Sequence, residues 1–403
     1  VSAAGASTGL VESRSPQQPS DVVASEPAVE PAAVRAVYDA AFAARREREA
    51  AGPLGRAHTL GEAASALEAA SEELVALGVR EVGKPIGEMA GEVTRGVAIL
   101  RYDAAGCLDP DGETLPTAGN ALLLARRRPH GVTGCITPWN FPVAIPLWKL
   151  APALAYGNAV LLEPAPAATA SALRLGELLG PLLPTGLLAV LPGEAATGQA
   201  VLSTVDALSF TGSAAVGASL AAEAVRRGIP VQAEMGGQNP SVVLEDADHE
   251  AAAAVIGGAA EVVEAGGQVL AGGRRLPGAG FFVSPTIVAG IESSQRSAQE
   301  EIFGPFVSIL AARDAEDAIA IANGVRYGLA AAVSTRDLDR ALALVPRLQA
   351  GLVRVNAPTS GVDLYAPFGG VEDSSIGPRE QGKAARDFFT WTQTVTISPA
   401  GGR

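Results

Sequence analysis

Three short segments carry residue types suited to chemistry. Glu234-Met235-Gly236-Gly237-Gln238-Asn239-Pro240 puts a carboxylate beside two glycines at the end of an expected strand. Partly screened from water, Glu234 has the properties of a general base; the same residue also makes an ordinary capping or salt-bridged glutamate. Thr137-Pro138-Trp139-Asn140-Phe141-Pro142 fixes a Trp and an Asn between two prolines. A loop that stiff can aim the Asn140 amide at a developing oxyanion, and it can equally be a structural turn with a packed Trp. Phe210-Thr211-Gly212-Ser213 falls where a strand turns into a helix. Gly212 allows close backbone approach and the helix start offers unpaired N–H groups to a phosphate, while Ser213 alone reads as a plain N-cap. No Gly-x-Gly-x-x-Gly and no phosphate loop ending in Gly-Lys-Ser/Thr occurs.

The elements that must position these segments alternate in type. Residues 1–30 read as a tail or irregular strand region, and Ala33–Glu49, Leu60–Val79 and Glu88–Tyr102 as helices. Asp109–Gly119 reads as a turn-rich connector, followed by a strand at Ala121–Arg127. Strands are then expected at Val132–Thr137, Ala159–Leu162, Leu187–Leu191, Ala207–Phe210 and Val231–Glu234. Helices start near Pro142 and span Thr169–Leu179, Glu194–Leu202 and Ala214–Arg227. This alternation predicts a doubly wound parallel α/β sheet with ligands at the carboxyl ends of its strands. A second alternating block has strands at Ser241–Leu244, Phe306–Ala312, Ala330–Ser334 and Leu352–Val355, with helices at His249–Glu264, Ala315–Ala322 and Asp337–Leu348. The final segment, Thr390–Ile397, is β-rich and needs a partner, either Ala121–Arg127 or another subunit.

Composition narrows the chemistry. The chain has 403 residues, 48% of them hydrophobic, and a net charge of −13. That is enough apolar residue for two or three domains, and too acidic a balance for a general nucleic-acid surface. No apolar run reaches membrane-spanning length: Val143–Tyr156 is interrupted by Pro146, Lys149 and Pro152. With no secretory signal pattern visible, a cytoplasmic protein is expected. The cysteines are Cys107 and Cys135, and the histidines His58, His130 and His249 lie far apart, so no metal site is expected.

Taken in order, Gly83-Lys84-Pro85, Trp139-Asn140, Phe210–Ser213, Glu234–Pro240, Glu300-Glu301-Ile302-Phe303-Gly304-Pro305 and Pro367-Phe368-Gly369-Gly370 resemble the NAD(P)-dependent aldehyde dehydrogenase superfamily. The ending Ser374–Gly382 resembles the branch that oxidises 2-oxoglutarate semialdehyde. The resemblance implies that Asn140 is the oxyanion-hole amide and Glu234 the general base for the deacylating water. It implies a cofactor site in which Ile136, Thr137, Pro138 and Trp139 line the dinucleotide. Phe210, Gly212 and Ser213 would turn beneath its pyrophosphate, Glu301 and Phe303 flank the nicotinamide ribose, and Gly193 lies near the adenine. Glu163 stands where relatives usually carry a Lys on the adenosine ribose; a carboxylate there would repel a 2′-phosphate and favour NAD over NADP. The implied organisation is a dinucleotide-binding domain from residues 1–115 and 131–233, oligomerisation β-segments at 116–130 and 388–403, and a truncated catalytic domain at 234–387. A homo-oligomer acting on a small aldehyde or semialdehyde follows from the same resemblance.

One departure outweighs the matches. Family members carry a nucleophilic Cys some thirty-odd residues after the general base; its thiolate attacks the aldehyde, hydride leaves for the nicotinamide, and water cleaves the thioester. Here no Cys follows Cys135. Either Gly267-Gln268-Val269-Leu270 replaces the nucleophile loop, with Leu270 in place of sulfur, or Gln268–Leu276 is a later strand and turn. The second fits better, because the match continues through Pro285-Thr286 and Glu300-Glu301. Several tens of residues would then be missing, leaving the second sheet short or gapped. Three functions follow: a family protein inactive or impaired in aldehyde oxidation, a non-catalytic NAD-binding or homologue-pairing partner, and an oxidoreductase acting on aldehyde hydrates without a thioester.

Overall fold

Runs of Val, Ile, Leu and Ala just long enough to cross a sheet, each closed by Gly, Pro or Asn, fold as strands between Ala-rich helices. The structure, a computed structural model, describes residues 9–117, 119–250, 252 and 267–399. A hairpin of β1 (Leu10–Arg14) and β2 (Val22–Pro27) precedes helices α1 (Pro31–Ala50), α2 (Gly52–Ala69), α3 (Ser71–Val82) and α4 (Ile86–Gly106). Then come β3 (Gly112–Leu115), β4 (Leu122–Pro129), β5 (Val132–Thr137), α5 (Ala144–Ala155) and β6 (Ala159–Pro164). Next are α6 (Thr169–Leu179), β7 (Leu188–Val190), α7 (Ala195–Thr204), β8 (Ala207–Thr211), α8 (Ala214–Arg227) and β9 (Val231–Glu234). The remaining strands are β10 (Ser241–Val243), β11 (Gln268–Ala271), β12 (Thr286–Ala289), β13 (Phe306–Ile309), β14 (Tyr327–Gly328) and β15 (Ala330–Ser334). They continue with β16 (Leu352–Val355), β17 (Val371–Glu372), β18 (Ser375–Ile376) and β19 (Thr390–Ile397).

The main sheet runs β18-β9-β8-β5-β6-β7. Its other five members are parallel, and β18 is an antiparallel edge. One large apolar cluster packs helices such as α2, α4, α5 and α6 on β5 and β6; a second packs α8 on β8 and β9. This is the expected doubly wound α/β arrangement, and it puts the carboxyl ends of β5, β8 and β9 side by side. The β-rich tail finds its partner within the chain: β19 pairs antiparallel with β4 along all eight residues.

Several expectations need correction. Leu60–Val79 is not one helix: α2 and α3 meet at Ala70, where the Ser71 hydroxyl bonds the Glu68 carbonyl and competes with the helical ladder. The supposed connector contains β3, which pairs with β4, so Gly112–Leu115 belongs with the flap sheet and not with the dinucleotide-binding segment. Residues 234–387 are also tied to the main sheet. Ser375–Ile376 completes the main sheet, and the helix Gly382–Phe389 buries Phe388 and Phe389 in the main core. The expected helix His249–Glu264 lies almost wholly outside the described residues.

The second block forms two small sheets, β10-β15-β16 and β11-β12-β13. Gln268–Ala271 is a strand, antiparallel to β12, and Leu270 is exposed on it. No described helix is long and apolar enough to cross a membrane.

Candidate active site

Glu234 ends β9, and the ladder sets Thr211, the last residue of β8, opposite it. Its side chain is only 2% exposed. One carboxylate oxygen accepts a hydrogen bond from the Ser375 hydroxyl at 2.5 Å; the other, Oε1, is buried without a partner. Burial, reinforced by the negative charge of Glu380, pushes this carboxyl up to about 8, against the opposing pull of Ser375, Lys149 and Arg379. Withdrawal from water thus favours the protonated form of Glu234.

The Trp139–Asn140 loop joins β5 to α5. Glu92, on α4, accepts the Val143 and Ala144 N–H groups at 2.8 and 2.9 Å, satisfying donors at the start of α5. Lys84 bonds Glu92 at 2.6 Å and the Asn140 carbonyl at 3.0 Å, and its ammonium lies 3.3 Å from the Phe141 ring centre. The loop is thus clamped through its backbone, and the Asn140 side-chain oxygen is buried with no partner.

Phe303 closes the third side. It adopts φ 53°, a left-handed conformation that a bulky residue avoids, and packs edge-on against Trp139 with ring centres 5.4 Å apart. Two residues earlier, Glu301 lies so close to Gly236 that a Cβ there would stand 2.0 Å from its Oε2. Burial raises the Glu301 carboxyl, partly offset by a hydrogen bond from the Gly237 N–H. The N–H of Gly212 donates to the Glu234 carbonyl at 3.0 Å, and the Ser213 hydroxyl accepts from Val216 N–H as the N-cap of α8. Trp139, Asn140, Gly212, Ser213, Glu234, Glu301 and Phe303, which lie far apart in sequence, are linked by these loops and strand ends at one rim of the sheet.

Thr137 and Thr211, at the ends of β5 and β8, each bury a hydroxyl oxygen without a partner. Ile136 is half-buried against the α8 cluster, and Pro138 is half-buried beside it. Phe210 departs from its expected place: it is 3% exposed, with its ring beneath Gly212 and packed with Leu208, Leu220 and Met235. It supports the turn from below and is a core residue.

Glu163 and Gly193 lie apart from this group, towards β6 and β7. The Glu163 side chain is buried against Gly198 of α7, and burial alone drives its carboxyl up to about 8. Burial thus opposes a negative charge on Glu163. Gly193 is buried and packs tightly on Thr197.

Both thiols are enclosed. Cys135 is fully buried on β5 and Cys107 is 5% exposed; burial raises them to about 12 and about 11 respectively. Neither forms thiolate at neutral pH. Among the described residues no group of three or more His, Cys, Asp or Glu side chains could hold a metal ion.

The residue pattern assigns no role to Lys149, Glu380 or Ser375. Lys149 is fully buried, pairs with Glu380 and bonds the Ser209 hydroxyl at 3.0 Å. The signal was a lone cation inside an otherwise apolar helix, which needs a buried partner.

The aldehyde dehydrogenase family model matches the chain over residues 3–262 and 255–395. The chain is 37% identical to the alpha-ketoglutaric semialdehyde dehydrogenase of Bacillus subtilis, over 85% of this chain and 86% of that one. It is 34% identical to the alpha-ketoglutarate semialdehyde dehydrogenase of Haloferax volcanii, over 95% of each. Its fold superposes on the NAD+ complex of an aldehyde dehydrogenase from Bacillus cereus with a TM-score of 0.91, at 28% identity, covering 96% of this chain and 93% of that one.

Proposed function

Because the chain belongs to the aldehyde dehydrogenase family, we propose that it retains the dinucleotide pocket of that lineage and has lost the thiol chemistry. The ancestral reaction is NAD-dependent oxidation of an aldehyde to the acid, with 2-oxoglutarate semialdehyde as the ancestral substrate. The two relatives named for that substrate and the ending Ser374–Gly382 support this choice.

The observation that carries the retained pocket is the row of orphaned buried oxygens on Thr137, Asn140, Thr211 and Glu234 at neighbouring strand ends. Buried polar atoms are rarely left without partners unless a ligand or water supplies them. In this reading Gly212, Ser213 and the α8 N-terminus would hold a pyrophosphate. Glu301 and Phe303 would hold the nicotinamide ribose, while Glu163 and Gly193 would face the adenosine end. When bound, NAD supplies the hydride acceptor. Asn140 would orient the carbonyl oxygen, and Glu234 would hold or take a proton from water at Oε1.

Lost thiol chemistry is supported by three observations. The two cysteines are buried and strongly held as thiols. Leu270 lies exposed in a strand of its own sheet, not in a loop beside Glu234. The alignment with the Haloferax volcanii relative runs over 457 positions against 403 residues here, so at least 54 of its positions face no residue of this chain. Without an attacking sulfur, no step forms the thioester.

Two further readings each rest on one feature. The proton held by Glu234 near pH 8 suits slow oxidation of aldehyde hydrates without a thioester. Leu122, Trp391 and Ile397 leave apolar surface exposed on the β4–β19 sheet, which suits pairing with another copy or a homologue. The purified chain distinguishes them. Tryptophan fluorescence should report NAD binding, while 2-oxoglutarate semialdehyde plus NAD should yield no NADH and no acid-stable thioester. Robust aldehyde-dependent NADH production overturns the loss of chemistry, and absence of NAD binding overturns the retained pocket.

A further inference from the structure

Among the described residues, β10 and β13 are each paired on one side only, and both line the same cavity of about 980 Å³. Alternation along a parallel ladder fixes which groups point where. On β10, the Pro240 carbonyl accepts from Ala332 N–H and Leu244 N–H donates to the Ser334 carbonyl. The even-numbered residues thus face β15, and Ser241 and Val243 turn their N–H and C=O groups away from it. On β13, the Pro305 carbonyl accepts from Thr286 N–H. Odd-numbered residues face β12, and Ser308 points its N–H and C=O outward. The Ser241 hydroxyl oxygen is also buried without a partner. Ala318 and Ile321 of the helix Ala315–Ala322 line the same space, and among the described lining side chains only His249 and Glu301 are titratable. With so few charged side chains described, that lining suits an uncharged extended segment better than a charged small molecule.

We propose that this gap is a docking site for a β-strand from a separate, homologous polypeptide, which pairs with the outward edges of β10 and β13. The inference rests on the reading that a strand–helix unit is missing from this chain. The occupant follows from where the family match breaks. It ends at residue 262 and resumes from residue 255, and relatives carry tens of residues with no counterpart here. A strand that completes an interrupted parallel sheet is buried on both faces, so its sequence is apolar and β-branched. Backbone pairing along two edges supplies affinity in the manner of strand addition.

The test uses the whole chain and a synthetic peptide: the segment of the Bacillus subtilis relative that faces the break. Hydrogen exchange at the outward-facing amides of Ser241, Val243 and Ser308 should slow by about tenfold or more on addition of the peptide. The same peptide N-methylated at alternate residues should give no slowing. If the native peptide gives none, the docking site is refuted. It is equally refuted if these amides are already protected in the chain alone, whether by its own residues or, with doubled mass in light scattering, by a second copy. Aldehyde turnover by the chain alone would refute the missing-unit reading instead, whatever the peptide does.

Discussion

Glu163 and Glu234 are two carboxyls that burial holds protonated at the pH where most proteins ionise theirs. The consequence differs with position. At Glu234 the proton sits beside an orphaned oxygen, where water or substrate would be activated only after it leaves. At Glu163 the proton removes the charge that would reject a 2′-phosphate. The raised value means that the neutral form persists to about pH 8 and the anion appears above it. NADP should therefore bind nearly as well as NAD at about pH 7 and about tenfold more weakly than NAD at about pH 9. Glu163→Gln should keep the two affinities close at both pH values. Fluorescence titrations of each dinucleotide check this; a preference independent of pH would count against a ribose-facing Glu163.

At the scale of elements, the start of α5 depends on a side chain from another helix. Glu92 supplies the acceptor that its first N–H groups lack, and Lys84 neutralises that carboxylate while holding the Asn140 carbonyl. Gly83-Lys84-Pro85 thus matters to the site through the backbone it clamps, about fifty-six residues along the chain. Glu92→Ala leaves two buried N–H groups and an ammonium without their partner. It should cost about 3–5 kcal/mol in urea unfolding and alter Trp139 fluorescence in the folded protein. Glu92→Gln, which keeps an acceptor for the N–H groups, should cost less. Equal losses in the two variants would mean that the ion pair, not the cap, is what holds the loop.

Across the described residues of the molecule, three acids, Asp103, Glu163 and Glu234, are each raised to about 8 chiefly by burial. A carboxyl whose folded value lies above its unfolded one stabilises the fold while protonated. That contribution is complete below the ordinary carboxylate range and is lost as pH rises to about 8. Thermal stability should therefore fall by several degrees from about pH 6.5 to about pH 9, and Asp103→Asn combined with Glu163→Gln should flatten the curve. Scanning calorimetry across that range decides it: a flat or rising curve for the parent chain would contradict the buried-proton account.

Local pattern determined much of this protein. Val132–Thr137, Thr169–Leu179, Ala214–Arg227 and Val231–Glu234 form as their periodicity and flanking Gly and Pro dictate, because those signals lie within the segments themselves. The sequence also determined that no thiol follows Cys135, since no fold can supply an absent sulfur. Tertiary structure alone decided that Ser375 and Glu380 reach back to Glu234 and Lys149, across 141 and 231 residues. It alone made Gly112–Leu115 a strand, through pairing with β4. It alone buried Phe210 under the turn it was expected to line, and protonated Glu163. Each of these depends on what a residue meets across the fold, through long-range hydrogen bonds and withdrawal from water, and neither leaves a mark in local spacing.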